Sequence, residues 1–188
     1  MQTIKLGVSG DAGSFSEEAA MLYAKNKNLN PNLEYLIDME GVLKAIHEGD
    51  IDIGILPVVN LRGGLVRMAF DAMGKYQFKV QDELWMQVQQ CLLTQKETDN
   101  ANIARIVSHY QALAQCKDYL QKHYPQVELI EWQDTALAAK ELSLNKLAAN
   151  TAVIAPRRAA ELYGLNVTAN NIQDANPNLT AFIIVTAR

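Results

Sequence analysis

Long apolar runs are missing from this chain. Nowhere do about 18 apolar residues follow one another, so no membrane-spanning helix is expected. Cysteine is scarce. Cys91 and Cys116 are the only two, both in apolar or helical contexts, which favours reduced, buried thiols over a disulfide or a nucleophile. The three histidines, His47, His109 and His123, are too scattered to form a metal site by spacing, so no metal is expected. An excess of basic charge is absent as well. A net charge of −4 and a pI near 5.4 argue against nucleic acid as the main partner. The N-terminus, Met1-Gln2-Thr3-Ile4-Lys5, runs straight toward a strand and lacks the basic-then-apolar pattern of a signal segment, so a cytoplasmic protein is expected. No repeat, low-complexity tract or long linker interrupts the chain.

What is present is an alternation of strands and helices. Half of the 188 residues are apolar, enough for a sizeable core in one large domain or two small lobes. Ile4–Val8 reads as a strand and Gly10–Gly13 as a turn. Ser14–Asn26 reads as a helix, with Ser14 and Glu17 spaced as a capping box. Leu33–Ile37 is a second strand, and Glu40–Glu48 a helix closed by Gly49. Ile51–Leu56 is nearly continuous in apolar residues, as a buried parallel strand would be, and Pro57 is expected to end it. A helix is expected over Gly64–Met73. Phe78–Leu93 reads as long extended structure crossing into a second lobe. There, strands are expected at Ile103–Val107, Val127–Ile130 and Ala152–Ala155. Helices are expected at Tyr110–His123, Thr135–Leu144 and Arg157–Tyr163, the last closed by Gly164. The final strand, Ala181–Val185, is expected to return to the first lobe. The fold class is α/β and two-lobed, with a cleft between the lobes. The first lobe would hold about residues 1–77 plus 175–188, the second about 78–174.

Four segments carry candidate chemistry. Gly10-Asp11-Ala12-Gly13-Ser14-Phe15-Ser16 joins a strand to a helix, where free N–H groups and the Ser14 and Ser16 hydroxyls could hold an anion. An ordinary strand–turn–helix connection with a serine cap is the plainer alternative. It is neither a Walker A loop nor a Rossmann fingerprint. Pro57 to Gly64 follows a buried strand at the edge where ligands bind α/β sheets. Asn60 offers a donor and an acceptor there, and Arg62 could grip a carboxylate; a solvated loop is the plainer alternative. Ser108-His109-Tyr110-Gln111 marks another strand-to-helix junction, with Ser108 a candidate cap. Asn178-Leu179-Thr180-Ala181-Phe182 leads a polar turn into an apolar strand. No triad, metal set or paired-carboxylate motif follows from spacing.

These segments, in this order, resemble the prephenate dehydratase domain over essentially the whole chain. Gly10 to Ala20 is similar to the family's Gly-Pro-x-Gly-Thr-Phe-Ser-x-x-Ala. Asp52 to Pro57 with Asn60 is similar to Gly-x-x-Pro-Ile-Glu-Asn-Ser. Ser108 to Cys116 resembles Ser-His-Pro-Gln-Ala-Leu-Ala-Gln-Cys almost letter for letter. Thr135-Ala136, Tyr163-Gly164-Leu165 and Ile172-Gln173-Asp174 continue the series. The last segment reads Ile-x-Asp-x-x-x-Asn-x-Thr-Arg-Phe in the family.

The resemblance implies two lobes of the type II periplasmic-binding-protein kind with the active site in the cleft. It implies conversion of prephenate to phenylpyruvate, with loss of water and carbon dioxide, in phenylalanine biosynthesis. No cofactor is implied, because aromatisation supplies much of the driving force. Thr180 and Phe182 would be the catalytic residues. Thr180 would bond to the departing hydroxyl, and Phe182 would pack the site. Ser14, Phe15, Ser16, Asn60, Arg62, Ser108, His109 and Gln111 would bind substrate. The partner is the small molecule, with a homodimer or higher homo-oligomer expected. Many members carry a C-terminal regulatory ACT domain; the sequence stops just after the Thr-x-Phe strand, so a catalytic domain without it is expected. Some positions depart from the family pattern. Ala181 stands for its Arg, Val59 for its Glu, Leu61 for its Ser, and Gln90 for a His. Arg62 is expected to replace part of the missing positive charge. The alternatives on the same fold are a non-aromatising prephenate decarboxylase and a non-catalytic small-molecule binding protein.

Overall fold

The protein is described by a computed structural model over residues 3–188; Met1 and Gln2, which open the expected N-terminal strand entry, lie outside the described residues. The chain begins with β1 (Ile4–Ser9), α1 (Phe15–Asn26), β2 (Pro31–Leu36), α2 (Met39–Glu48), β3 (Ile53–Asn60), β4 (Gly64–Leu65), α3 (Arg67–Met73) and β5 (Lys79–Gln87). It continues with β6 (Cys91–Thr94), a short 3₁₀ turn, β7 (Arg105–Ser108), α4 (Tyr110–Gln115), α5 (Lys117–His123) and β8 (Glu128–Glu131). Then come α6 (Thr135–Ser143), β9 (Thr151–Ala155), α7 (Arg157–Tyr163), β10 (Asn166–Ala169) and β11 (Leu179–Thr186).

These elements form two compact α/β units, the fold class expected from sequence. The first holds the residues up to Asp11, Phe15–Gln87 and Leu179–Arg188. The second holds Ala12–Ser14 and Val88–Asn178. The first unit runs on to Gln87 rather than ending near residue 77, because β5 pairs with β11 along its whole length. Its return segment begins at Leu179 rather than 175.

The first unit has a six-stranded sheet in the order β2-β1-β3-β11-β5, with β4 paired to β3. β2, β1 and β3 run parallel; β11 lies antiparallel between β3 and β5. The final strand therefore returns to the first sheet, as expected. Alternation along β11 serves both faces. Phe182 and Ile184 pack with Leu6, Val8, Ile55 and the Ala19, Ala20 and Tyr23 face of α1. Val185 packs on the other face with Val42, Leu43 and Ile46 of α2. α2 is set at both ends by its sequence. Asp38 Oδ1 accepts from Gly41 N at 2.8 Å, and Gly49 closes the helix at φ +79°.

Two expectations fail here. Pro57 does not end the strand, which continues to Asn60. Pairing with β1 stops at Ile55, and the ladder with β11 shifts register between Ala181 and Phe182, opposite Pro57. A missing N–H is tolerated at such an irregularity. Gly64 and Leu65 are not helical; they pair with Asn60 and Val59 as β4, and α3 starts at Arg67.

The second unit has a five-stranded sheet in the order β10-β6-β9-β7-β8. β9, β7 and β8 are parallel, while β6 is antiparallel to β9 and β10 to β6. The stretch expected to be extended from Phe78 to Leu93 is two strands, broken at 88–90. The helix expected over Tyr110–His123 is two helices, broken at Cys116. The cause is distant in sequence: the Asp174 carboxylate accepts from Asp118 N at 3.0 Å and Tyr119 N at 3.1 Å, so a new helix starts there. Strand β10 carries no clear signal in the sequence. No helix among the described residues is long and apolar enough to cross a membrane.

Candidate functional site

In the first unit, Thr180 and Asn60 are cross-strand partners in the β11–β3 ladder. Thr180 is buried, and its Oγ1 accepts a hydrogen bond from Asn60 Nδ2 at 2.8 Å. The orientation of the Asn60 amide follows from the turn. Its Oδ1 accepts from two backbone groups, Arg62 N at 2.9 Å and Gly63 N at 2.7 Å. An N–H cannot accept, so Oδ1 must face the turn and Nδ2 must face Thr180. The threonine oxygen is thereby an acceptor, and its own proton is left to donate elsewhere. Arg62 is exposed, and its backbone is tied to this turn through Asn60.

Phe182 is 1% exposed and belongs to the core of the first unit, with Phe15 packed against the same cluster. Phe15 is half-buried there, whereas Phe182 is enclosed by the core. Ser16 is buried, and its Oγ lies 3.3 Å from Ser9 Oγ at the end of β1. Ser9 was not among the residues expected from sequence. A polar residue at the carboxyl end of a central strand was the available signal.

In the second unit, Ser108 is fully buried. Its hydroxyl donates to Ile154 O at 2.6 Å, which joins β7 to β9. The cap of α4 is therefore not Ser108 but His109, whose Nδ1 accepts from Gln111 N at 3.4 Å. An accepting Nδ1 leaves the ring proton on Nε2. Burial pushes the His109 pKa down, while the carboxylates of Asp134 and Glu131 act in the opposite direction. The ring rests against Tyr110, with centroids 4.5 Å apart.

The turn Ala12–Ser14 belongs to this unit as well. Tyr163 Oη donates to Ala12 O at 2.7 Å. Gly13, at φ +88°, lies so close that a Cβ would meet Ala159 Cα at 3.1 Å. Only glycine suits both the left-handed backbone and that contact. Ser14 is buried at the end of this turn.

The structure thus joins Thr180, Asn60 and the Arg62 turn directly, pairs Ser16 with Ser9, and sets Ser108, His109 and Gln111 on one junction. Cys91 and Cys116 are both buried, as expected. Burial, then the charges of Asp174 and Cys91, push the Cys116 thiol well above its ordinary range, so it is a poor nucleophile. Ala181, where the resemblance places Arg, is buried between Val59 and Trp85 in the sheet.

The chain is similar to known proteins along nearly its whole length. The bifunctional chorismate mutase/prephenate dehydratase of Stutzerimonas stutzeri is 32% identical over 184 residues, covering 98% of this chain and 49% of that protein. The chloroplastic arogenate dehydratase 5 of Arabidopsis thaliana is 33% identical over 183 residues, covering 97% and 42%. The crystal structure of prephenate dehydratase from Arthrobacter aurescens in complex with L-Phe superposes with a TM-score of 0.87 at 26% identity, covering 98% of this chain and 61% of that one. The chain spans about half the length of the curated relatives it matches. The family model for prephenate dehydratase matches residues 6–188, and this chain belongs to that family.

Proposed function

We propose that this chain is a prephenate dehydratase, a carbon–oxygen lyase that converts prephenate to phenylpyruvate in phenylalanine biosynthesis. The observation that carries the reading is the Asn60–Thr180 hydrogen bond at 2.8 Å. It fills the acceptor side of the threonine oxygen and leaves a proton to give. The reaction needs such a donor at the departing ring hydroxyl. An alcohol is a weak acid, so Thr180 stabilises the leaving oxygen and relays a proton from solvent to it. The bond from the ring to the carboxylate carbon then breaks, its electrons complete the aromatic ring, and water and carbon dioxide depart. One proton is consumed, which balances the charge of the lost carboxylate.

Arg62 sits on the turn anchored by Asn60, where a guanidinium can hold a substrate carboxylate in place of the arginine missing at Ala181. Ser14, Phe15, Ser16, His109 and Gln111 are the further substrate-binding residues of this proposal. Ser108 has committed its proton to Ile154 O, so it holds its corner in place rather than donating to substrate. Self-association into a homodimer, read by light scattering, completes the reading. So does a reducing cytoplasmic setting, which the two buried thiols suit.

The test is proton NMR of prephenate incubated with the parent, Thr180→Ala and Arg62→Ala. Phenylpyruvate is expected from the parent, about 10²-fold more slowly from Thr180→Ala, and with a sharply raised KM from Arg62→Ala. A dihydro product would replace the reading with a non-aromatising decarboxylase. Unchanged prephenate would leave a non-catalytic binding protein.

A further inference from the structure

Gln90 is 3% exposed, and its Oε1 is the one buried side-chain oxygen or nitrogen among the described residues with no hydrogen-bond partner. Its surroundings fix which end of the amide is left over. Asn178 is locked by the backbone of Val88: Val88 N donates to Asn178 O at 2.7 Å, and Asn178 Nδ2 donates to Val88 O at 3.3 Å. The same Nδ2 donates to Gln115 Oε1 at 3.0 Å. Gln115 therefore presents its oxygen, and Gln90 must meet that oxygen with Nε2, at 3.2 Å. The Gln90 oxygen is then the leftover acceptor. Turning the amide over would set two oxygens against each other.

The backbone of Gln90 is held too. Its N donates to Gln173 Oε1 at 3.0 Å, and its O accepts from Ile172 N at 3.0 Å. A buried acceptor without a partner is destabilising, and an apolar side chain of similar size would avoid it. What Gln90 adds is one donor to Gln115, whose oxygen also receives Asn178, two residues before Thr180.

We propose that Gln90 is a positioning residue for Thr180, acting through the Gln115 amide and Asn178. Its donor fixes the Gln115 oxygen. That oxygen fixes the Asn178 side chain, and Asn178 sets where the chain enters β11. The proposal rests on the dehydratase reading for its kinetic consequence, but not for its geometry.

Gln90→Met removes both the donor and the orphan acceptor while nearly keeping the volume. Its Tm should not fall, yet kcat should drop about ten-fold with KM held within about two-fold, as expected for a misplaced reacting group. Gln90→His again presents an N–H and should restore kcat. Gln90→Glu, the same shape with the donor replaced by oxygen, should lose kcat as Gln90→Met does. A merely structural residue would show a lower Tm with kcat untouched, and that result overturns the proposal. So does failure of the histidine to rescue. If the parent itself does not turn over prephenate, the dehydratase reading fails separately. The geometry is then judged from the NMR signals of the Thr180 amide and methyl group. These must move in Gln90→Met and return in Gln90→His; fixed signals sink the proposal.

Discussion

Thr180 and Ser108 are both buried hydroxyls near the ends of interior strands, and they are wired in opposite directions. Thr180 Oγ1 receives its bond from Asn60 Nδ2, so its proton remains to be given. Ser108 Oγ gives its bond to Ile154 O, so it can only accept. The difference comes from the partner. An amide whose oxygen is occupied by a turn can only donate, and a backbone carbonyl can only accept. Residue type and burial are nearly the same at the two places. Hydrogen-bond polarity separates a group that can assist a leaving oxygen from one that holds a strand.

Reversing the polarity at Thr180 should break the contrast most severely. In Asn60→Asp, one carboxylate oxygen keeps the Arg62 and Gly63 N–H groups and the other faces Thr180, which must then donate inward. The expected result is a fall in kcat of about 10²-fold with little change in KM, measured on prephenate. A kcat within about two-fold of the parent would mean that the direction of this bond is irrelevant.

Ser108→Ala sharpens the other side. Losing a buried hydrogen bond should cost about 1 kcal/mol and lower Tm by roughly 2–4 °C, with kcat changed by less than about five-fold. Thermal unfolding and steady-state kinetics read the two quantities. If kcat falls as far as in Asn60→Asp, the two hydroxyls are not different in kind.

The smallest effect concerns pH. Burial depresses the His109 pKa in the folded chain below its ordinary 6.5. Below pH 6.5 the unfolded chain then takes up a proton more readily than the folded one. Stability from this group is complete above that value and declines as pH falls toward the folded pKa. Protonation also removes the Nδ1 acceptor from Gln111 N. His109→Asn keeps a cap acceptor that does not titrate. Its Tm should therefore fall less than the parent's between pH 7.5 and pH 5; equal losses would show that His109 plays no part.

Local elements were largely legible in the sequence. α7 and its closing Gly164 lie where the apolar pattern and the glycine place them, as does the end of α2 at Gly49. Chemistry that acts within one turn decides those boundaries. The breaks at Cys116 and the passage of β3 through Pro57 were not legible. One depends on the Asp174 carboxylate, 56 residues away from Asp118, and the other on a register shift in β11. The site divides in the same way. Thr180, Asn60 and the Ser108–Gln111 junction could be named from motifs. The contact of Ser9 with Ser16, the core burial of Phe182 and the leftover oxygen of Gln90 could not.

By itself the sequence determined the family, the order of the elements and the residues available for chemistry. Each of these follows from side-chain type and short-range periodicity. Only the tertiary structure decided which of those residues give a proton and which receive one. Asn60 and Thr180 are 120 residues apart, and Ser108 and Ile154 are 46 apart. The direction of each bond depends on what else its partner is already holding, and no local pattern in the chain records that.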